Sequence, residues 1–305
     1  MVHVDPPSAL DEARKKLYIP PKDSHKGLNG KLLIIGGSGL FHAASLWSAS
    51  VASRIVDMVH YSSTQENHEI FVNLKTKFAD GIIVQQKDLL DYVAEDDCIL
   101  VGPGMIRGPV SEKIRAAELS FDEIRKLTNE AEYTFALTRF LMKTFPHKRF
   151  VFDAGSLQMM DKNWLKLLKE KAIVTPHVLE FENLFGVSCS NKSDSEKKNL
   201  VTQMAKDYHC VVLMKNVKDY ISDGTNQAIV EGGNPGLAKG GSGDVLAGLA
   251  SAFYTKSDAV TSCLFASFLL KSASEGQYDQ SGLFYNTSDL IVQIGKTAKT
   301  ELFDF

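Results

Sequence analysis

KLLIIGG, residues 31–37, is an apolar run with no polar alternation, closed by two glycines. A strand with one wet face alternates, whereas a strand covered on both faces reads as a continuous apolar run. Runs of the same kind recur at EIFVN (69–73), GIIVQ (81–85), CILVG (98–102), RFVFD (149–153), AIVTP (172–176) and VVLMK (211–215). Helical spacing fills several of the intervals. In 121–145, Ile124, Leu127, Ala131 and Phe135 recur three and four residues apart, and 194–208 and 287–301 are amphipathic in the same way. Alternating strands and helices predict an α/β fold, a doubly wound, mainly parallel sheet flanked by helices with right-handed crossovers. Residues 1–29, rich in Pro and charge, read as a lead-in segment, and 30–305 as a single domain.

In such sheets ligands bind beyond the carboxyl ends of the strands. The residues found there are Gly36, Gly37, Gly102, Gly104, Asp153, His177 and Lys215, types that approach or contact ligands. The chain of 305 residues is 44% hydrophobic, enough for a substantial core. A net charge of −3 with dispersed lysines argues against a nucleic-acid partner. Cys98, Cys189, Cys210 and Cys263 are far apart and form no C-x-x-C pair, as free thiols in a reducing compartment would. The N-terminal MVHVDPPSAL has no secretory pattern, and the apolar stretch 259–270 is too short to span a bilayer. These features predict a cytoplasmic protein with no membrane contact.

The strongest motif is GGNPGLAKGGSGDVLAGLASAF, 232–253, with seven glycines ahead of and within a helix of small and apolar residues. Gly240, Gly241 and Gly243 free the backbone to approach an oxyanion and point consecutive N–H groups at it. The amino-terminal dipole of the helix starting near Ser242 adds to that field. Asp244 falls in the first turn, where an isolated acid would ordinarily be a dipole partner. Beside a phosphate-shaped turn, the same carboxylate is placed to accept a hydroxyl proton during phosphoryl transfer. The spacing is neither that of a Walker A loop nor that of a Rossmann turn.

NPGLAKGGSGDVLAG (234–248) resembles the signature of the ADP/ATP-dependent NAD(P)H-hydrate dehydratases, ribokinase-like enzymes that return hydrated NAD(P)H to NAD(P)H. In the same order DSHKGLNGKLLIIGGS (23–38), VGPG (101–104), VFDAGSL (151–157), TPHVLEFENL (175–184) and VVLMK (211–215) also resemble that family. The departures are Ala43 for a common Gly, Met105 within GPGMIRG for the usual GPGLG, and Asn216 for the Gly after Lys215.

The resemblance implies a lyase that uses ADP or ATP with Mg²⁺ and takes NAD(P)H hydrate as substrate, working as a homo-oligomer. Asp244 would be the catalytic base, with Gly241, Ser242 and Gly243 forming the anion hole. Ala44, Gly104, His177 and Asp244 would meet the substrate. Lys215, Asn216, Val217, Lys218, Asp219, Asn234 and Gly243 would line the nucleotide site, and Glu180 would hold the metal through water. Asp153 is open to a structural, Mg²⁺-shell or substrate role. A plain kinase of the same fold, phosphorylating a sugar or vitamin-precursor hydroxyl, is the alternative, since Asp244 and the anion hole serve both.

Overall fold

The computed structural model describes residues 2–303. Its ten strands are β1 (His3–Asp5), β2 (Lys31–Ile35), β3 (Met58–Ser62), β4 (Gly81–Ile83), β5 (Cys98–Val101), β6 (Arg149–Phe152), β7 (Ala172–Val174), β8 (Cys210–Met214), β9 (Lys218–Ser222) and β10 (Gln227–Glu231). They form one sheet in the order β1-β10-β9-β8-β7-β6-β5-β2-β3-β4. The strands from β8 to β4 pair in parallel, while β9, β10 and β1 extend the edge antiparallel. The continuous apolar runs are explained by burial on two sides. Leu32, Ile34, Leu100, Val151 and Leu213 pack into one core, and their neighbours Leu33, Ile35, Ile99, Phe150 and Val212 into the other.

Three expectations need correction. The 1–29 segment is not merely a lead-in, because β1 pairs with β10 and the helix Pro7–Lys16 packs on the helix Ala259–Ser281. EIFVN is the end of a helix, Gln65–Asn73, rather than a strand. The Thr64 hydroxyl accepts the Asn67 N–H at 3.2 Å and starts that helix, and Phe71 stacks on Tyr61 at 4.7 Å between ring centres. The 121–145 pattern is split into Phe121–Ile124 and Glu130–Thr144, with Asn129 capping the second piece. β3 went unread because its apolar run is broken by His60, which is buried against Asp96 at 2.8 Å.

The topology opens a crevice where a ligand is expected in such sheets. From β2 the chain proceeds to β3 and β4 toward one edge, and from β5 to β6, β7 and β8 toward the other. The carboxyl ends of β2 and β5 therefore flank a switch point, where outgoing loops diverge and leave a crevice. There the Gly37 N–H donates to the Pro103 carbonyl at 2.7 Å, locking the two loops together. The helix Ser242–Tyr254 packs beside this crevice on the helix Ala43–Ala52. A Cβ on Gly248 would stand 2.8 Å from Ser48 Cα, so glycine there lets the two helix backbones approach.

Candidate functional site

The glycine-rich turn is held from outside. Gly241 has φ of +102°, and a Cβ on it would come within 2.5 Å of the Trp47 ring. The Thr287 hydroxyl donates to the Gly240 carbonyl at 2.8 Å, and the Lys239 ammonium donates to the carbonyls of Leu283 and Tyr285. The Ser242 hydroxyl turns inward to the Leu237 carbonyl at 2.6 Å, and its N–H lies 3.5 Å from the Lys239 carbonyl. What remains is the first turn of a helix, whose N–H groups have no intrahelical acceptor. Ser48 Oγ donates to the Asp244 carbonyl at 2.8 Å and fixes that turn.

Asp244 stands among charges from three strand ends. Lys215, just after β8, has its ammonium 2.6 Å from Asp153 Oδ1 at the end of β6. The Thr175 hydroxyl donates to the same oxygen at 2.8 Å. A parallel bridge between His177 and Lys215, with the Lys215 N–H donating to the Pro176 carbonyl at 2.8 Å, carries the alignment of β7 and β8 beyond their ends. Ala154, following Asp153, is held at φ of +45°, a conformation that costs a non-glycine residue about 1–3 kcal/mol. His177 caps the helix Val178–Phe185: its Nδ1 accepts the Glu180 N–H, and Glu180 Oε2 accepts the His177 N–H at 2.8 Å. Glu180 Oε1 accepts from Gln158 Nε2 at 2.5 Å.

Burial, then the nearby Asp153 carboxylate, pushes Asp244 up to about 7, against the pull of the Lys215 ammonium. Burial disfavours the Lys215 charge too, but Asp153, Glu180 and Asp244 outweigh it and hold the ammonium above its ordinary value. The consequence is testable. Lys215→Met removes a charge that favours ionised Asp244, so the rising limb of kcat/KM with pH should move to higher pH. A pH–rate profile checks this, and a limb in the same place would mean that the ammonium does not act on Asp244.

Two cavities border this turn. One, of about 520 Å³, is lined by Leu40, Phe41, Ala44, Gly104, Gln158 and Asp244, among others. The other, of about 80 Å³, is lined by Lys215, Asn216, Asp219, Ser242, Gly243 and Lys271, among others. Adjacent residues, Gly243 and Asp244, thus border different cavities.

A family model described as NAD(P)H-hydrate dehydratase matches residues 32–296. The chain belongs to that family. Among relatives, the ADP-dependent (S)-NAD(P)H-hydrate dehydratase of Nitrosopumilus maritimus is 30% identical over 297 residues, 95% of this chain and 96% of the relative. The bifunctional NAD(P)H-hydrate repair enzyme Nnr of Methanocaldococcus jannaschii is 29% identical over 291 residues, 93% of this chain; the chain spans about half of that relative's length, 51%. The crystal structure of the ADP/ATP-dependent NAD(P)H-hydrate dehydratase from Bacillus subtilis, co-crystallized with ATP/Mg²⁺, superposes with a TM-score of 0.76 at 20% identity, covering 95% of this chain and 96% of that one. At that identity the likeness shows the fold, the ribokinase-like arrangement expected from the sequence.

In this NAD(P)H-hydrate dehydratase family member, Ala44, Gly104 and Asp244 line the larger cavity and Lys215, Asn216, Asp219, Ser242 and Gly243 the smaller, whereas Gly241, His177, Glu180, Val217, Lys218 and Asn234 line neither. Val217 is 83% exposed and lines neither. Lys218 points along the sheet to Asp194 at 2.7 Å and Glu231 at 2.5 Å. Asn234 is spent on structure: its oxygen accepts from the Gly236 N–H and the Tyr285 hydroxyl, and its amide donates to the Ser274 carbonyl. Asp219 is buried, with its carboxylate taking the Asn216 N–H at 2.9 Å and the Ser267 hydroxyl at 2.6 Å, so it shapes the 216–219 loop from below. Of the departures, Asn216 closes that loop through its side-chain oxygen on the Val217 N–H, and Met105 walls the larger cavity.

Lys271 was missed. It is buried, 3.6 Å from Asp219, and its ammonium donates to the Val217 carbonyl at 2.8 Å. The signal was present, since a lysine directly following the apolar stretch 259–270 demands a buried partner once the helix continues through it.

Proposed function

We propose that this chain is a nucleotide-dependent dehydratase of hydrated NAD(P)H, a lyase that consumes ADP or ATP and returns NAD(P)H as product. One observation carries the reading: Asp244 lines the larger cavity while Gly243, its neighbour, lines the smaller. A hydroxyl-bearing acceptor in the first and a phosphoryl donor in the second meet across one peptide unit.

In the first step the hydroxyl on C6 of the hydrate loses its proton to Asp244 as its oxygen bonds to the terminal phosphorus, and the bond from that phosphorus to the bridging oxygen of the donor breaks. The backbone N–H groups of Gly241 to Gly243 stabilise charge developing on the transferred phosphoryl. In the second step the C6–O bond breaks with loss of phosphate, a proton leaves C5, and the ring double bond is restored. The pKa near 7 suits a base that must take a proton and then release it near neutrality.

Mg²⁺, when bound, neutralises phosphate charge. The described residues hold no group of three side chains able to cage a metal, which suits an ion that keeps several waters and takes its other ligands from the nucleotide. Glu180 fits as the carboxylate behind those waters, because each of its oxygens accepts one hydrogen bond and keeps a free lone pair. His177 and Ala44 contact the substrate in this reading, and Lys215 and Asn216 the nucleotide.

Incubation of the protein with NADH hydrate, Mg²⁺ and ADP or ATP should restore NADH absorbance, and a chelator should stop it. A phosphorylated hydrate accumulating without NADH would identify a kinase of the same fold instead.

A further inference from the structure

A cavity of about 600 Å³ lies between the helix Glu130–Thr144 and the carboxyl ends of the helices Ala154–Met159 and Val178–Phe185. The active-site residues Asp153 and His177 stand at the opposite, amino ends of the last two. The cavity shares no lining residue with the Asp244 cavity or with the smaller one beside it. The reaction described above uses none of its side chains.

Charge on its wall is one-sided. Arg115, Arg139, Lys143 and Lys162 line it against a single carboxylate, Asp161, in a chain whose net charge is −3. That carboxylate is engaged locally, its Oδ1 accepting the backbone and side-chain N–H groups of Asn163 at 2.8 and 3.0 Å. Lys143 has its counter-ion in Glu118 at 2.5 Å. Among the described residues, the other three cations have only neutral partners. Arg139 is buried, and its guanidinium donates to the carbonyls of Ile114, Arg115 and Ala117 at the end of the short helix Glu112–Ala116. Lys162 donates to the Phe185 carbonyl at 2.7 Å. Arg115 spends only its Nε, on the Val110 carbonyl at 3.3 Å, and keeps both terminal nitrogens for a ligand.

Two of these cations lie against one ring. The guanidinium carbons of Arg115 and Arg139 stand 5.5 and 5.2 Å from the centre of Phe135, and Trp164 meets the same ring edge-on at 5.2 Å. Carbonyl dipoles and a ring hold the guanidiniums in place without neutralising them, so like charges are kept together at a Coulombic cost that a bound anion removes. A phosphate offers several oxygens and up to two charges to such a set, and guanidinium forks match it bidentately. The volume, about 600 Å³, is far more than a bare phosphate fills and falls within the range of about 300–1,000 Å³ of small-molecule sites. Trp164, Met159 and Leu184 supply apolar surface for an organic body.

We propose that this cavity is a second, non-catalytic ligand site that takes an organic phosphate, with the phosphate against Arg115, Arg139 and Lys162 and the carbon body against Trp164 and Met159. The site goes beyond the dehydratase reading and does not depend on it. An occupant bears on two helices that also serve the Asp244 side. Met159 is next to Gln158 and Leu184 one turn from Glu180, and Gln158 donates to Glu180 at 2.5 Å.

The test is calorimetric titration of the full chain with phenyl phosphate and with inorganic phosphate. Phenyl phosphate should bind saturably and roughly tenfold or more tightly than inorganic phosphate, which has no organic body to bury. Arg115→Glu and Lys162→Met should each weaken that binding roughly tenfold or more, while Lys215→Met, at the smaller cavity, should leave it unchanged. Melting curves check that the variants fold, and Arg115→Glu, at an exposed position, carries the test alone if Lys162→Met does not. Binding lost in Lys215→Met but kept in Arg115→Glu would place the phosphate at the glycine-rich turn and overturn the proposal. Equal affinity for the two phosphates, or no saturable binding, would overturn it as well. No turnover enters these measurements, so a failure here leaves the dehydratase reading standing, and a failure of that reading leaves this site.

Discussion

Asp244→Asn should lower turnover by roughly 10²–10⁴-fold, the scale of a lost general base, while leaving the fold and nucleotide binding intact. Asparagine keeps the size of the side chain and cannot take the proton. The same substitution should make the protein more stable at pH 8. The Asp244 pKa is raised from 3.8 to about 7, so the folded state holds that proton more tightly than the unfolded state. The cost of keeping the carboxylate ionised is absent below pH 4, grows between 4 and 7, and is full above 7. Asparagine removes the cost, so the variant should melt above the wild type at pH 8, by on the order of 1–2 kcal/mol once partial exposure is allowed for, with the gap closing toward pH 4. A simple dipole partner would behave in the opposite way, losing a few tenths to about 1 kcal/mol with little change in rate. Melting curves and turnover on one preparation separate the two, and a variant keeping more than about a tenth of the wild-type rate excludes the base assignment.

Gly241→Ala should be nearly as damaging, for a steric reason. The backbone at φ of +102° is unfavourable for alanine, and the added methyl group would meet the Trp47 ring at 2.5 Å and the Thr287 hydroxyl at 2.9 Å. The expected result is a stability loss of about 1–3 kcal/mol and a fall in kcat of roughly 10²–10³-fold, as N–H groups move off the phosphoryl oxygens. Gly240→Ala is the control. A Cβ there meets nothing within 4 Å, so the melting temperature should hold while a ligand drawn close to the backbone is bound less well. Activity of Gly241→Ala at the wild-type level would mean that the turn does not hold the transferred group.

How far the site was legible in the sequence depended on whether a residue acts locally. The anion turn, Asp244 and the strand ends at Asp153, His177 and Lys215 could be read because glycine spacing and strand termination are written within a few residues. Asn234 and Lys218 are nucleotide contacts only by resemblance to the family, and their partners Tyr285 and Asp194, from distant elements, could not be read locally. Lys271 escaped for the converse reason, since its buried partner Asp219 lies 52 residues earlier and only folding brings them together. In the fold, β1 was invisible because three residues carry no period, and EIFVN was misread because a short apolar run cannot separate a strand from a buried helix end. The pKa of Asp244 could not be foreseen at all, being set by burial and by a carboxylate 91 residues away in sequence.

The central claim is that one phosphoryl transfer onto the hydrate precedes each dehydration, with Asp244 as the base. The most direct measurement is the amount of phosphate released per NADH formed when wild-type protein acts on NADH hydrate with limiting ADP or ATP. The account predicts one phosphate for each NADH, with both vanishing together in Asp244→Asn. NADH formed without phosphate release, or phosphate released without NADH, would contradict it.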